Sequence, residues 1–162
     1  MRVLGIDPGS VSAAYAVVAD NPGTGEIQPL AVGDVPVVDR MVDAAGFANI
    51  LRQHRVHLIV IEKVGAMPKQ GVSSTFRFGM GCGLLRGVVA ALALPLAEVS
   101  PTVWKREFKL DNDGEKSRAL AIRLFPALAG QLQRKKDHGR AEALLIASWQ
   151  LARSRVELVD VI

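Results

Sequence analysis

Two continuous apolar runs in this chain each stop at a carboxylate. Val3-Leu4-Gly5-Ile6 stops at Asp7, ahead of Pro8-Gly9-Ser10, and Leu58-Ile59-Val60-Ile61 stops at Glu62. A short run without polar alternation reads as a strand covered on both faces. An acid placed there loses about 2–7 kcal/mol as an unpaired polar group, and more as a charge. Two acids in that position predict a compensating partner, and a shared divalent cation is the simplest one.

The rest of the chain arranges itself around these two runs. Strands are expected over 2–7, 13–19 and, with Gly and Pro interruptions that suit an edge, 28–38. A helix over 43–55 leads to the strand at 58–62, which a helical crossover makes parallel to a neighbour. A polar stretch over 65–74 reads as a mobile loop. A long helix follows over 74–92, then a strand over 95–99, helices over 101–108 and 114–124, a last helix over 139–153 and a short tail. Gly79, Gly83 and Gly87 recur every four residues along the long helix. Each costs about 1 kcal/mol relative to Ala, so a close backbone neighbour is expected. The sheet beneath is the favoured neighbour and a second subunit the alternative.

The 162 residues, 49% of them hydrophobic, suffice for one domain over 1–162 with a real core. No repeat or linker interrupts it. No run reaches the roughly 18–20 apolar residues of a membrane span, and the N-terminal segment is unlike a signal peptide. The expectation is a protein that is not secreted, with a cytoplasmic location as the default. Cys82, the one cysteine, excludes an intrachain disulfide and reads as a small core residue. The order of strands and helices, with acids ending the first and fourth strands, has the layout of an α/β ribonuclease H-like fold: a mixed five-stranded sheet flanked by helices.

A carboxylate site for hard cations needs more than two acids, because oxygen ligands must converge on Mg²⁺ or Mn²⁺. Hydrolysis of a phosphodiester commonly uses two such ions about 3.5–4 Å apart. Asp7 also suits a capped turn in Asp-Pro-Gly-Ser. Glu62 also suits a solvated strand tip beside Lys63. In the C-terminal half, Glu142 stands among Ala141, Ala143, Leu144 and Leu145 and is expected to face the sheet. Asp137 comes five residues earlier, as helix cap or as ligand. His138, next to it, is a candidate to orient or activate water.

The formal charge is +4, the pI about 9.6, and 13 of the 20 basic residues are Arg. This balance is compatible with a nucleic-acid partner. Lys105 and Arg106 follow Trp104 near a helix start, Lys116 and Arg118 open the next helix, and Lys135, Lys136 and Arg140 flank the proposed site. Phe76 and Arg77 follow the loop after Glu62, where an exposed aromatic could stack on unpaired bases. Burial is expected for one of Phe76 and Phe78. Trp104 is expected to pack rather than to stack.

Three segments together resemble the RuvC-like Holliday junction resolvases: Val-Leu-Gly-Ile-Asp-Pro-Gly-Ser at 3–10, the acid after Leu-Ile-Val-Ile at 62, and Lys-Lys-Asp-His-Gly-Arg-Ala-Glu-Ala-Leu-Leu-Ile-Ala at 135–147. The last, with Ser-Pro-Thr-Val-Trp-Lys-Arg at 100–106, is closer to phage-type and plant chloroplast-type members. The resemblance implies a homodimer that binds four-way junction DNA and nicks two strands symmetrically with Mg²⁺ or Mn²⁺, two ions per site. It implies Asp7, Glu62 and Glu142 as metal-binding acids. The family carries an acid or His three residues before the last acid, where this chain has Gly139. Asp137 is therefore expected as the fourth ligand, with His138 in reserve. A nucleoid-associated, organellar or phage-encoded protein is implied. The competing readings are a ribonuclease H-fold nuclease that processes RNA and a nucleic-acid-binding domain without catalysis. The 135–147 motif and the retained acids argue against them.

Overall fold

Side chains alternate across a strand, and this alternation sets the direction of both acids. In the computed structural model, which describes residues 1–9, 12–66 and 71–159, with side chains through Arg155, strand β1 is Arg2–Asp7. Val3 faces one core, whereas Leu4 and Ile6 face another. Asp7 shares the parity of Val3 and Gly5. Strand β6, Leu58–Glu62, runs parallel to β1 with Ile6 opposite Ile61. Glu62 shares the parity of Val60, which faces the same core as Val3. The next residues after the Ile6–Ile61 pair are Asp7 and Glu62, so two neighbouring strands end in acids on one face.

Strands β2 (Ala14–Asp20) and β3 (Ile27–Asp34) continue the sheet antiparallel on one side of β1, and β7 (Leu96–Val99) pairs parallel to β6 on the other. The order is β3-β2-β1-β6-β7. The first and fourth expected strands are thus the adjacent central ones. The third ends at Asp34, short of 38. The chain there forms a small hairpin, β4 (Val37–Val38) and β5 (Met41–Val42). Its turn places Asp39 and Arg40 at φ 51° and 61° without a glycine, so the usual hairpin signal is absent from the sequence.

Helices cover both faces. Asp43 caps α1 (Ala44–His54) by accepting from the backbone N–H of Ala45 and Gly46. Phe47 and Leu51 on α1 join Leu85 and Val89 of α2 (Val72–Ala91) over Leu4, Ile6, Ile59 and Ile61. The opposite face carries α3 (Pro101–Glu107), α4 (Gly114–Leu124) and α5 (His138–Val159). The last helix starts one residue earlier and runs six residues longer than expected. It is buried almost all round from Ala141 to Trp149, as a helix without a polar face must be. Gly5 makes this possible: a Cβ there would stand 2.7 Å from the Ala147 backbone N.

The glycines of α2 behave otherwise than expected. A Cβ on Gly79, Gly83 or Gly87 would meet nothing within 4 Å, so they do not serve packing on the sheet. They lie on an outward face with Val72, Phe76 and Met80, which are 87%, 68% and 43% exposed. Cys82 is buried, as expected. Of the 65–74 loop expectation, 67–70 lie outside the described residues, and from Val72 onward the chain is already in α2. Among the described residues, no helix is long and apolar enough to cross a membrane.

Candidate metal centre

The parity of β1 and β6 delivers Asp7 and Glu62 to the face on which α5 lies. Glu142, in the second turn of α5, points down onto the same spot. One carboxylate oxygen from each of Asp7, Glu62 and Glu142 lies within 4.8 Å of the others. The approach of α5 depends on a second glycine: Gly139 stands where a Cβ would be 3.0 Å from Asp7 Oδ2 and 3.4 Å from the Ala14 Cβ.

Helix α3 supplies the polar partners. Trp104 is fully buried and its indole Nε1–H donates to Glu62 Oε1 at 2.8 Å. The next residue, Lys105, is nearly buried and its Nζ lies 3.0 Å from Glu142 Oε1. Ser117, buried on α4, donates its hydroxyl to the same Glu142 oxygen at 2.9 Å. Each glutamate therefore has Oε1 held by the protein, and among the described residues Oε2 has no partner and can serve as a ligand. Among the described residues, Asp7 has no such partner.

Three acids face one lysine in a desolvated pocket. Burial is the main influence on Asp7, and the charges of Glu142 and Glu62 add to it, so its carboxyl is pushed up to about 8 despite the opposing Lys105. Burial also raises Glu62, against the hydrogen bond from Trp104. The set fits a hard divalent cation: the donors are all oxygens, they converge, and their mutual repulsion calls for a positive charge.

Beside the cluster lies a cleft of about 310 Å³, lined by Lys105, Asn112, Gly114, Lys135, His138 and Glu142 among others. Nδ1 of His138 is 3.1 Å from the Lys135 carbonyl oxygen. A carbonyl only accepts, so in the neutral ring this contact puts the proton on Nδ1 and leaves Nε2 as the basic nitrogen.

Asp137 is not brought to the cluster. A short 3-10 turn at Lys135–Asp137 precedes α5. Within it Asp137 Oδ2 accepts from the Arg134 backbone N–H at 2.9 Å, and Oδ1 takes Arg134 Nη2 at 2.8 Å. These contacts hold its carboxyl below the usual range. The carboxylate is thus engaged as a turn cap, and the group of converging acids does not include it.

Among the basic residues, Lys105 and Lys135 reach the site. Arg118 is held by Glu115 and by the carbonyls of Leu132 and Gln133, and Arg140 by Asp34 at 2.7 Å. Lys116 pairs with Asp111. Arg106, Lys136, Arg77 and Phe76 are exposed, and Phe78 is half-buried. Ser117 and the Trp104 donor were not foreseen. A tryptophan at the fourth position of a basic helix, three elements after the strand that ends in Glu62, was the available signal.

Comparison with known proteins places this geometry. No protein-family model matches the chain. RuvC crossover junction endodeoxyribonuclease from Anaeromyxobacter sp. (strain K) is 31% identical over 159 residues, covering 94% of this chain and 82% of that protein. The Chlorobaculum parvum enzyme of the same name is 28% identical over 162 residues, with the same coverage. The chloroplastic Holliday junction resolvase MOC1 of Chlamydomonas reinhardtii is 32% identical over 93 residues, which is 56% of this chain but 10% of that longer protein. Among solved structures, Thermus thermophilus RuvC in complex with a Holliday junction superposes with a TM-score of 0.69 at 19% identity, covering 96% of each chain. The fowlpox virus Holliday junction resolvase gives 0.57 at 14% identity, covering 98% of this chain and 99% of that one. The structural likenesses establish the ribonuclease H-like fold, and sequence identity sustained over nearly the full length goes further: the chain belongs to the RuvC family of crossover junction endodeoxyribonucleases.

Proposed function

We propose that this protein resolves four-way DNA junctions, nicking two strands symmetrically by metal-assisted phosphodiester hydrolysis. The observation that carries the proposal is the convergence of Asp7, Glu62 and Glu142 within 4.8 Å, beside a cleft lined by Lys105, Lys135 and His138. The substrate class comes from family membership and from the junction-bound relative. The sheet and its helices act as one nuclease domain over 1–162. Its place is with the DNA it processes, whether cytoplasmic, organellar or phage-borne.

Asp7, Glu62 and Glu142 are the residues that would hold Mg²⁺ or Mn²⁺, two ions per site in this reading. A divalent cation in such a cluster supplies charge neutralisation at the phosphodiester and a more acidic water. The chain's own groups do the rest. Trp104, Ser117 and Lys105 keep the two glutamates oriented. Lys105 and Lys135 attract the phosphate into the cleft. His138 offers Nε2 to take a proton from the attacking water. Arg77, Arg106 and Lys136 extend the electrostatic path for the DNA arms, and Phe76 offers a stacking face.

Symmetric nicking needs two centres, and the outward face of α2 supports a homodimer. Val72 and Met80 expose apolar surface in line with Gly79, Gly83 and Gly87. The groove along Met80, Gly83, Leu84, Gly87 and Ala91 is shallow and apolar, a shape that a second copy of the same helix fits closely.

The deciding experiment is cleavage of a synthetic four-way junction against matched duplex and RNA, with Mg²⁺, Mn²⁺ or EDTA. Paired symmetric nicks in the junction are expected, lost with EDTA and with Asp7→Asn. Equal cutting of plain duplex or of RNA would overturn the substrate assignment.

A further inference from the structure

Trp104 is more than a core residue. Its side chain is fully buried, and packing alone would be met by any large apolar group. A buried indole N–H needs an acceptor, and here the acceptor is a carboxylate of the proposed metal centre, at 2.8 Å. Trp149 provides the contrast, because its buried Nε1 has no partner among the described residues. The ring of Trp104 cannot swing away: Phe108 meets it edge-on at 6.4 Å and 70°, and Lys105 Nζ sits 5.2 Å from its centroid. The indole is a donor only, so it cannot compete with an acid for a cation. Adjacent residues of α3 thus reach different acids, Trp104 to Glu62 and Lys105 to Glu142.

We infer that Trp104 is a positioning residue for the metal centre, whose indole N–H fixes Glu62 by one oxygen and leaves the other aimed for ligation. The inference rests on Asp7, Glu62 and Glu142 being the metal-binding cluster. Partners of this kind orient a ligand before the ion arrives, and their loss commonly weakens metal binding by about 10–100-fold. Trp104→Phe keeps an aromatic ring and removes only the donor and part of the volume.

The test is Mn²⁺ titration of the full chain, with free Mn²⁺ read by electron paramagnetic resonance. Trp104→Phe should bind Mn²⁺ about tenfold more weakly, with junction cleavage largely restored at saturating Mn²⁺. In a Glu62→Ala background, which removes the acceptor, the same substitution should change nothing further. Unaltered affinity in Trp104→Phe, or equal weakening in both backgrounds, overturns the inference while leaving the metal centre intact. Absence of any Mn²⁺ binding by the wild-type chain overturns the metal centre and this inference together. A second measurement needs no change at Trp104. The chain has two tryptophans, so Trp149→Phe assigns the indole N–H resonance of Trp104. That resonance should move on Mg²⁺ titration, and a resonance that stays fixed at saturating Mg²⁺ overturns the inference.

Discussion

Gly139 backs directly onto Asp7, with the position of its missing Cβ 3.0 Å from Asp7 Oδ2. It lies three residues before Glu142, on the same face of α5. The neighbouring Asp137 does not compensate, because Arg134 holds it in a turn. The acid cluster therefore rests on three carboxylates and the space that a glycine leaves open. Gly139→Asp puts a fourth carboxylate against the cluster. The metal-free variant should melt several degrees below wild type because like charges crowd a desolvated site. Saturating Mg²⁺ should recover most of that loss. Melting curves in EDTA and in Mg²⁺ check this, and a loss that Mg²⁺ leaves untouched would point to steric damage.

Asp7→Asn should separate stability from activity. Above about pH 8, where the metal-free carboxyl is ionised, it removes a charge that two other acids oppose, so there the metal-free protein should be at least as stable as wild type. Cleavage should fall by about 10²–10³-fold or more, the scale on which one charge-stabilising group acts. Thermal melting in EDTA and junction nicking in Mg²⁺ provide the two readings.

The pH dependence follows from the same residue. The Asp7 carboxyl titrates near 8 in the folded chain, against a usual 3.8. Between those values the folded protein holds a proton that the unfolded chain has released. Stability without metal therefore falls as pH rises through this window, and the loss is complete above about 8. Metal binding requires the ionised form, so Mg²⁺ affinity should climb by up to about tenfold per pH unit and level off near 8. The melting increment from Mg²⁺ should widen between pH 5.5 and 8.5. An increment of constant size would contradict it.

Asp137→Asn tests the turn assignment. The change weakens a cap and an ion pair with a half-exposed arginine, so about 1–2 kcal/mol of stability should be lost. Mn²⁺ affinity should stay within a factor of two or so. Denaturant unfolding together with Mn²⁺ titration decides between cap and ligand, since a ligand's loss would collapse the affinity.

Gly83→Glu places a charge in the outward face of α2, where a Cβ meets nothing within 4 Å. The isolated fold should tolerate it. Sedimentation should shift from dimer to monomer, with Mn²⁺ affinity unchanged, and paired nicks should give way to single ones. A variant that remains dimeric would move the interface elsewhere.

The acids at strand ends were legible because a continuous apolar run admits no other place for a charge than its end. Glu142 was legible because the helix around it has no polar side to receive it. Asp137 stands apart from the three acids for a geometric reason. At about 100° per residue, a position five before Glu142 falls well off its face, whereas Gly139, three before, falls on it. The intervening 3-10 turn takes Asp137 farther still from that phase. The glycines of α2 were misassigned because spacing fixes a face but not which neighbour it meets. The β4–β5 hairpin escaped notice because Asp39-Arg40 lacks the glycine that such a turn favours. Trp104 was expected to pack, and it does. A hydrophobic pattern says nothing about where its one polar atom points.

The seam between β1 and α5 has a consequence for inheritance and selection. Adding one methyl group at Gly5 would drive against the Ala147 backbone and lift the helix that carries Glu142, at an overpacking penalty of about 1–3 kcal/mol. Random mutagenesis scored by loss of junction cleavage should therefore return Gly5 alongside Asp7, Glu62 and Glu142. A genetic map of this enzyme would then mark as essential a residue buried between sheet and helix, because the spacing of the acids is set by an atom that is absent.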